Sequence, residues 1–198
     1  MKSFWNERYA VQDYVYGLKP NAFFEHEIKQ LNPGRILFPG EGEGRNAVYA
    51  AKLGWEVVAF DSAEQGKEKA DRLAQQFDVN INYQVMDAAA AKYDKESFDC
   101  VVLIFVHLPE EKRRQFHQKM LSYLKPGGTL IFEGFEKKQL QFDSGGPRNL
   151  SMLFSMEDIA VDFSVLESLK IQEETIEIDE GTFHNGPAQV VRFTGIKN

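Results

Sequence analysis

RILFPGEGEGRN, residues 35–46, is the stretch of this sequence that decides its fold. A short apolar run ends in three glycines spaced two residues apart, Gly40, Gly42 and Gly44, and a helical pattern follows at once. Strand, tight turn and helix in this order form the first unit of a doubly wound α/β fold. Because glycine lets the backbone approach a ligand closely, the turn also predicts a binding site.

Two acids in this loop and the spacing of its glycines indicate which ligand it binds. Glu41 and Glu43 argue against a bound pyrophosphate, because like charges would then face each other. The G-x-G-x-x-G pattern of dinucleotide-binding folds would also need glycine at position 45, where the chain has Arg45. A ligand with an adenosine end, no phosphate and a positive centre fits better, and S-adenosylmethionine is such a ligand.

The loop 40–46 resembles the glycine-rich motif of the class I S-adenosylmethionine-dependent methyltransferases. It is most similar to small stand-alone members of the tellurite-resistance and thiopurine methyltransferase type. The resemblance begins at Phe4-Trp5-Asn6-Glu7-Arg8-Tyr9 and reaches the last strand, so it covers nearly the whole chain. It implies a doubly wound, mostly parallel α/β sheet of seven strands in the order 3-2-1-4-5-7-6, and it does not specify a substrate.

Composition fits one soluble domain that spans residues 1–198. Of these residues 43% are hydrophobic and 27% charged, as in ordinary globular proteins. The net charge of −7 argues against nucleic acid as a partner. Cys100 is the only cysteine, and no apolar run has the length of a signal peptide or a membrane span. We therefore expect a cytoplasmic protein without a membrane partner, as a monomer or homodimer.

Hydrophobic periodicity predicts alternating strands and helices, closed by an antiparallel pair of strands. The predicted strands are 34–39, 55–60, 80–85, 98–106, 129–134, 169–178 and 188–196, and helices are predicted to begin at positions 21, 46, 64, 109 and 155. Residues 1–19 are aromatic and irregular in pattern, and we expect residues 1–31 to form a cap segment and helix. Residues 136–154 show little pattern, which is typical of a functional or disordered connection, so we expect a lid on the substrate side.

The expected cofactor site lies beyond the carboxyl ends of the strands, at the switch point of the sheet. Asp61 ends the second strand, and its carboxylate can accept hydrogen bonds from two ribose hydroxyls. The family places an acid near the adenine amino group where this chain has Asp87. A helix cap or a turn is the alternative role for each. The expected cofactor-binding residues are Gly40, Glu41, Gly42, Gly44, Arg45, Asn46, Asp61, Ser62, Asp87, Ala88 and Phe105.

One position departs from the family. Members commonly carry an acid at the position of Phe38, where it helps to hold the ammonium group of the cofactor. Phe38 cannot do this, so Glu41 or Glu43 takes over, or backbone carbonyls hold the methionine end.

Arg45 and Asn46 begin the first helix after the loop, and two roles are open for them. They are either a surface pair, or they contact the cofactor carboxylate or the N-terminal segment. Trp5, Arg8 and Tyr9 resemble the family's N-terminal segment that folds over the cofactor, with core packing as the alternative.

Methyl transfer from a sulfonium mainly requires alignment of the nucleophile with the methyl group, and a base only where the nucleophile is protonated. His107, at the end of the fourth strand, is the candidate catalytic residue, with backbone hydrogen bonding as the alternative. His184 is a second candidate for the same pocket. His26, His117 and the basic run 112–114 are expected at the surface, and Cys100 in the core. No cluster has the spacing of metal ligands.

These patterns predict an S-adenosylmethionine-dependent methyltransferase that acts on a small-molecule acceptor. The acceptor atom, whether O, N, S or a metalloid, stays open. The alternatives are a non-catalytic, S-adenosylmethionine-binding regulatory protein and, less favoured, an NAD(P)-dependent oxidoreductase.

Overall fold

A computed structural model describes residues 2–198, in which strands and helices alternate over residues 35–85 and again over residues 98–167. The helices are α1 (Lys2–Tyr9), α2 (Ala22–Ile28), α3 (Arg45–Lys52), α4 (Glu64–Gln76), α5 (Glu110–Tyr123) and α6 (Met156–Asp162). The strands are β1 (Arg35–Pro39), β2 (Glu56–Asp61), β3 (Asn82–Val85), β4 (Phe98–Ile104), β5 (Leu124–Phe135), β6 (Leu166–Glu167), β7 (Gln172–Asp179) and β8 (Asn185–Lys197). Two short 3-10 helices, Lys137–Gln141 and Leu150–Met152, lie in the connection after β5.

All these strands form one sheet in the order β3-β2-β1-β4-β5-β8-β6, with β7 also paired to β8. Strands β1 to β5 are parallel, and β8 runs antiparallel to β5, β6 and β7. The predicted doubly wound fold is confirmed, with β7 and β8 as the predicted sixth and seventh strands. The two-residue strand β6 was not predicted, because two residues carry no periodicity.

Alternate residues of the first strand enter two different cores, as a sheet covered on both faces requires. Leu37 packs in the core on one face, and Ile36 and Phe38 pack in the core on the other. Phe38 is 1% exposed and meets Phe24 of α2 edge to face, with the ring centroids 5.5 Å apart. The residue that replaces the family's usual acid is therefore part of the core beneath α2.

Residues 2–9 are helical, which corrects the expectation of irregular structure there, whereas residues 10–21 form turns and bends and position 1 lies outside the described residues. Helix α1 lies against α4, where the Asn6 side chain accepts a hydrogen bond from the Gln65 N–H at 3.2 Å. Trp5 and Tyr9, four residues apart on α1, stack with their ring centroids 5.5 Å apart. The spacing of four residues, which places both rings on one face of a helix, is the feature of the sequence that indicates α1.

Arg113 and His117 are buried on α5, which corrects the expectation that both lie on a solvated surface. Asp162 of α6 bonds Arg113 Nε at 3.1 Å and His117 Nδ1 at 2.8 Å. Because α6 packs on this face of α5, the polar residues there are paired rather than solvated. The predicted helix start at position 155 is confirmed, and Ser155 and Asp158 form a capping box there, at the start of α6.

Strand β5 begins at Leu124, directly after α5, whereas the predicted strand begins only at residue 129. Leu124 pairs with Phe98, and the register then shifts before Cys100 pairs with Thr129. The Pro-Gly-Gly run at 126–128 therefore lies in an irregularity of the ladder and not in a loop. Within residues 2–198, no helix has the length and apolar character needed to cross a membrane.

Candidate functional site

A cavity of about 970 Å³ opens at the carboxyl edge of the sheet, where β1 lies between β2 and β4. The residues that follow strands β1 to β4 form its floor, and residues of α1 and of the segment 143–148 cover it. The structure brings most of the predicted site residues to this cavity: Gly40, Glu41, Arg45, Asn46, Asp61, Ser62, Asp87, Ala88, Phe105 and His107.

Gly42 and Gly44 are not among the residues that line this cavity, and the contact expected between them and the cofactor stays a prediction. A Cβ atom on Gly42 would come within 2.6 Å of the Tyr9 hydroxyl, and one on Gly44 within 2.5 Å of the Ala70 Cβ. Both residues have a positive φ, +65° and +89°. These glycines therefore allow α1 and α4 to pack closely on the loop, and Gly40 is the glycine that lines the cavity.

The two acids of the loop have different surroundings. Glu43 is 3% exposed, and its carboxylate accepts hydrogen bonds from the Val15 and Tyr16 N–H groups at 3.2 and 3.1 Å. The Lys69 ammonium lies 2.7 Å from Glu43 Oε1, so the two charges neutralise each other in the interior. Glu43 thus fastens the N-terminal segment to the loop and to α4.

Glu41 lines the cavity and caps α3. Its Oε1 accepts hydrogen bonds from the Asn46 N–H at 3.0 Å and the Ala47 N–H at 2.7 Å. This carboxylate replaces the cap that Gly44, the N-cap residue, cannot supply. Burial raises the pKa of Glu41 to about 8, against the effect of these hydrogen bonds.

Asp61 faces the cavity from the end of β2 and also orders the loop. Its carboxylate accepts hydrogen bonds from the Gly42 N–H at 3.2 Å and the Ala63 N–H at 2.9 Å. Burial raises the pKa of Asp61, and the backbone hydrogen bonds oppose this effect. Asp87 is exposed and accepts a hydrogen bond from the Ala89 N–H at 2.8 Å, as in the turn considered for it.

Arg45 and Asn46 bind other parts of the chain. Arg45 forms an ion pair with Glu180 of the β7–β8 loop at 2.7 Å, and Asn46 Oδ1 accepts a hydrogen bond from the Asn21 N–H at 2.9 Å. Although burial opposes it, hydrogen bonding by His184 and the charge of Arg45 lower the pKa of Glu180 to about 2. Of the roles left open by the sequence, the contact to the N-terminal segment is the one observed.

Aromatic residues of the N-terminal segment cover the cavity. Trp5, Arg8, Tyr9 and Tyr16 all line it. Arg8 donates a hydrogen bond to the Tyr16 hydroxyl at 3.1 Å and lies over the ring of Phe183, 4.0 Å from its centroid. These contacts connect α1 to the β7–β8 loop on the opposite side of the cavity mouth.

Both ring nitrogens of His107 are engaged by the backbone. Nδ1 lies 2.7 Å from the Met152 carbonyl oxygen, and Nε2 accepts a hydrogen bond from the Phe135 N–H at 3.2 Å. Burial lowers the pKa of His107 to about 4. Protonation at Nε2 would break the bond to Phe135, so this geometry matches the backbone-bonding alternative rather than a free base.

His184 has one ring nitrogen without a partner among residues 2–198. Its Nδ1 lies 3.2 Å from Glu180 Oε2, and the ring lines the cavity between Tyr16 and Phe105, with centroid distances of 4.6 and 4.8 Å. Because ionised Glu180 holds the proton on Nδ1, the lone pair is on Nε2. Burial lowers the pKa of His184, which favours the neutral ring.

The segment 143–148, within the predicted lid, packs against this histidine. Gly145 has a φ of +132°, and a Cβ there would lie 2.6 Å from His184 Cδ2. Arg148 donates a hydrogen bond to the Phe142 carbonyl at 2.9 Å, and the Gln139 amide donates to the Gly145 carbonyl at 3.1 Å. Within residues 2–198, no cluster of His, Cys, Asp or Glu could hold a metal ion.

A family model described as a methyltransferase domain matches residues 36–128, which contain the loop, Asp61, Asp87 and His107. Among curated proteins, the chain is 28% identical over 102 residues to the probable S-adenosyl-L-methionine-dependent methyltransferase TehB of Haemophilus influenzae, covering 50% of this chain and 35% of TehB. It is 30% identical over 112 residues to the ubiquinone biosynthesis O-methyltransferase of Coxiella burnetii, covering 56% of this chain and 47% of that protein. The matches thus span between a third and half of these relatives' length.

Solved structures of similar fold include TehB from Haemophilus influenzae, with a TM-score of 0.75 and 19% identity over 100% of this chain and 67% of that one. Magnesium protoporphyrin IX methyltransferase from Synechocystis, solved with bound S-adenosylhomocysteine, has a TM-score of 0.65 and 17% identity. That match covers 88% of this chain and 80% of the other. At these identities the likeness concerns the fold.

Proposed function

We propose that this chain, which belongs to the class I S-adenosylmethionine-dependent methyltransferase family, transfers the methyl group of this cofactor to a small-molecule acceptor. S-adenosylmethionine is the methyl donor of the family. The observation that carries the proposal is the position of Asp61, whose carboxylate lines the cavity at the carboxyl end of β2 beside the glycine loop.

In this proposal the cofactor spans the floor of the cavity. The Asp61 carboxylate accepts hydrogen bonds from the ribose hydroxyls, with Ser62 beside it, because its oxygens can accept more than the two backbone bonds they have. Asp87 and Ala88 flank the adenine, and the free carboxylate oxygen of Asp87 is available to the amino group. Gly40 and Phe105 border the space where the sulfur would lie, between the ends of β1 and β4.

The space beyond Phe105 suits a small acceptor with an apolar body. Rings of Phe105, Phe135, Tyr16, Phe183 and His184 line it, and α1 and residues 143–148 close it from above. Closure of this kind excludes water and holds the acceptor in line with the methyl group, which is the main requirement of the reaction. Cytoplasmic location and a monomeric or homodimeric state remain predictions from the sequence.

Where the acceptor nucleophile carries a proton, we propose that His184 removes it. Its Nε2 has no partner among the described residues, and Glu180 orients the ring through Nδ1. His107 instead supports the wall of the acceptor space, since both of its nitrogens are bonded to backbone. A soft or already ionised acceptor would need neither histidine.

Calorimetric titration of S-adenosylhomocysteine and, separately, NAD tests this function. We expect binding of S-adenosylhomocysteine and none of NAD, followed by methyl transfer from labelled S-adenosylmethionine to members of a panel of thiols, phenols, amines and oxyanions. Binding of NAD alone would overturn the proposal in favour of an oxidoreductase. Cofactor binding without turnover on any of these acceptor classes would favour a regulatory protein.

A further inference from the structure

Building on the proposed function, we propose that Glu41 binds the ammonium group of the cofactor, at the place where this chain lacks the family's usual acid, and that it releases a proton when the cofactor binds. The proposal concerns the methionine end of the ligand, which the fold and the position of Asp61 leave unexplained. The hydrogen bonds and ion pairs of the acids near the loop support it.

The other side chains near the loop are excluded by their position in the fold or by their partners. Phe38, at the position of the usual acid, is buried against Phe24 on the face of the sheet covered by α2. Glu43 is neutralised by Lys69 and bonded to two backbone N–H groups. Both Asp61 oxygens accept backbone hydrogen bonds at the end of β2, where the ribose is expected.

Glu41 is the loop acid that keeps an oxygen free. Its two hydrogen bonds both end on Oε1, and Oε2 accepts none from residues 2–198. No Lys, Arg or His nitrogen of the described chain lies within 4.0 Å of this carboxylate, although it lines the cavity. A half-buried carboxylate without a cation is costly, and a ligand that brings one offsets that cost.

The groups that face Glu41 explain why a proton is involved. Besides the burial that raises its pKa to about 8, Arg45 of α3 lowers this pKa and Asp61 of β2 raises it. The hydroxyls of Tyr9 on α1 and Tyr83 on β3 are the other titratable groups close to it, and both stay protonated because their own pKa values are raised. At neutral pH the unliganded Glu41 is therefore mostly protonated, and a bound ammonium favours its charged form.

Two ligands that differ only in the methionine end separate this role from others. S-adenosylhomocysteine carries the amino acid portion, whereas 5′-methylthioadenosine has the same adenosine and sulfur without it. Glu41→Gln keeps an oxygen that can accept the Asn46 and Ala47 hydrogen bonds, so the start of α3 is preserved. Glu56→Gln, an exposed acid at the opposite end of β2, is the matched control.

We expect Glu41→Gln to weaken binding of S-adenosylhomocysteine by about 10- to 100-fold in calorimetry and that of 5′-methylthioadenosine by less than about twofold. Equal losses for both ligands, or no loss for either, would overturn the proposal. If the unaltered protein binds neither ligand, the proposed function fails instead, so the two failures are distinguishable.

The proton is measured by repeating the titration at pH 7 in buffers of different ionisation enthalpy. The unaltered protein should release about one proton per S-adenosylhomocysteine bound, because binding removes the proton from Glu41. Glu41→Gln should release none with this ligand. Binding without proton release by the unaltered protein would show that Glu41 is not the group that meets the ammonium.

Discussion

At the scale of single residues, Asp61 has two roles. Its carboxylate orders the glycine loop by accepting a hydrogen bond from the Gly42 N–H, and it also lines the cavity. We predict that Asp61→Asn weakens S-adenosylhomocysteine binding by about tenfold or more, because charge-assisted hydrogen bonds contribute roughly 1.5–3 kcal/mol each. Asparagine keeps one acceptor for the loop, so the fold should persist, as circular dichroism can verify. An unchanged dissociation constant in calorimetry would exclude Asp61 from the ribose site.

His107 is an example of a residue whose position was predicted and whose partners were not. We predict that His107→Ala lowers the free energy of unfolding by about 2–4 kcal/mol, because two hydrogen bonds are lost and the Phe135 N–H is left without its acceptor. Affinity for S-adenosylhomocysteine should change little. Urea denaturation measures the difference, with His26→Ala, an exposed residue, as the control. Unchanged stability would contradict the backbone-bonding role.

At the scale of elements, α1 is held against the glycine loop by the fit between Tyr9 and Gly42. We predict that Gly42→Ala destabilises the protein and weakens cofactor binding, because the new Cβ meets the Tyr9 hydroxyl at 2.6 Å and lies at a φ of +65°. The effect on the cofactor would act through displacement of α1, since Gly42 does not line the cavity.

A double-mutant cycle with Tyr9→Phe tests this contact. Removing the hydroxyl relieves the shortest of the clashes, so Gly42→Ala should cost less in the Tyr9→Phe background than in the unaltered protein. The part of the penalty due to the positive φ should remain. Additive losses in unfolding free energy would show that the loop and α1 do not interact through this pair.

The positions of the main strands along the chain could be predicted because apolar runs such as β4 and the glycine loop are local signals. The order of the strands in the sheet came from the family resemblance. The different roles of Glu41 and Glu43 could not be predicted, because the role of Glu43 depends on Lys69, which lies 26 residues after it. Similarly, the local pattern around Arg113 and His117 is that of a surface helix, and their burial depends on Asp162, which packs against them. Partners supplied by distant elements are what the local pattern omits.

At the scale of the whole molecule, the cavity is the place where the N-terminal segment meets the β7–β8 loop. Asn21 donates hydrogen bonds to Glu133 of β5 at 2.6 Å and to Glu180 of the β7–β8 loop at 3.0 Å, while Arg45 holds Glu180 from the other side. A cofactor in the cavity would therefore contact elements from α1 to the β7–β8 loop. Binding of the cofactor should therefore stabilise the whole fold rather than a single loop.

We predict from this arrangement that S-adenosylhomocysteine raises the melting temperature in one cooperative transition. A ligand at 100 times its dissociation constant that binds only the folded chain adds about 2.7 kcal/mol, which for a domain of this size corresponds to roughly 5–10 °C. Differential scanning calorimetry measures the shift, and NAD at the same concentration is the control. Limited proteolysis should show parallel protection of α1 and of residues 143–148, because both cover the cavity. Protection of only one of them, or a transition that splits in two, would mean that the cap and the lid respond to the cofactor independently.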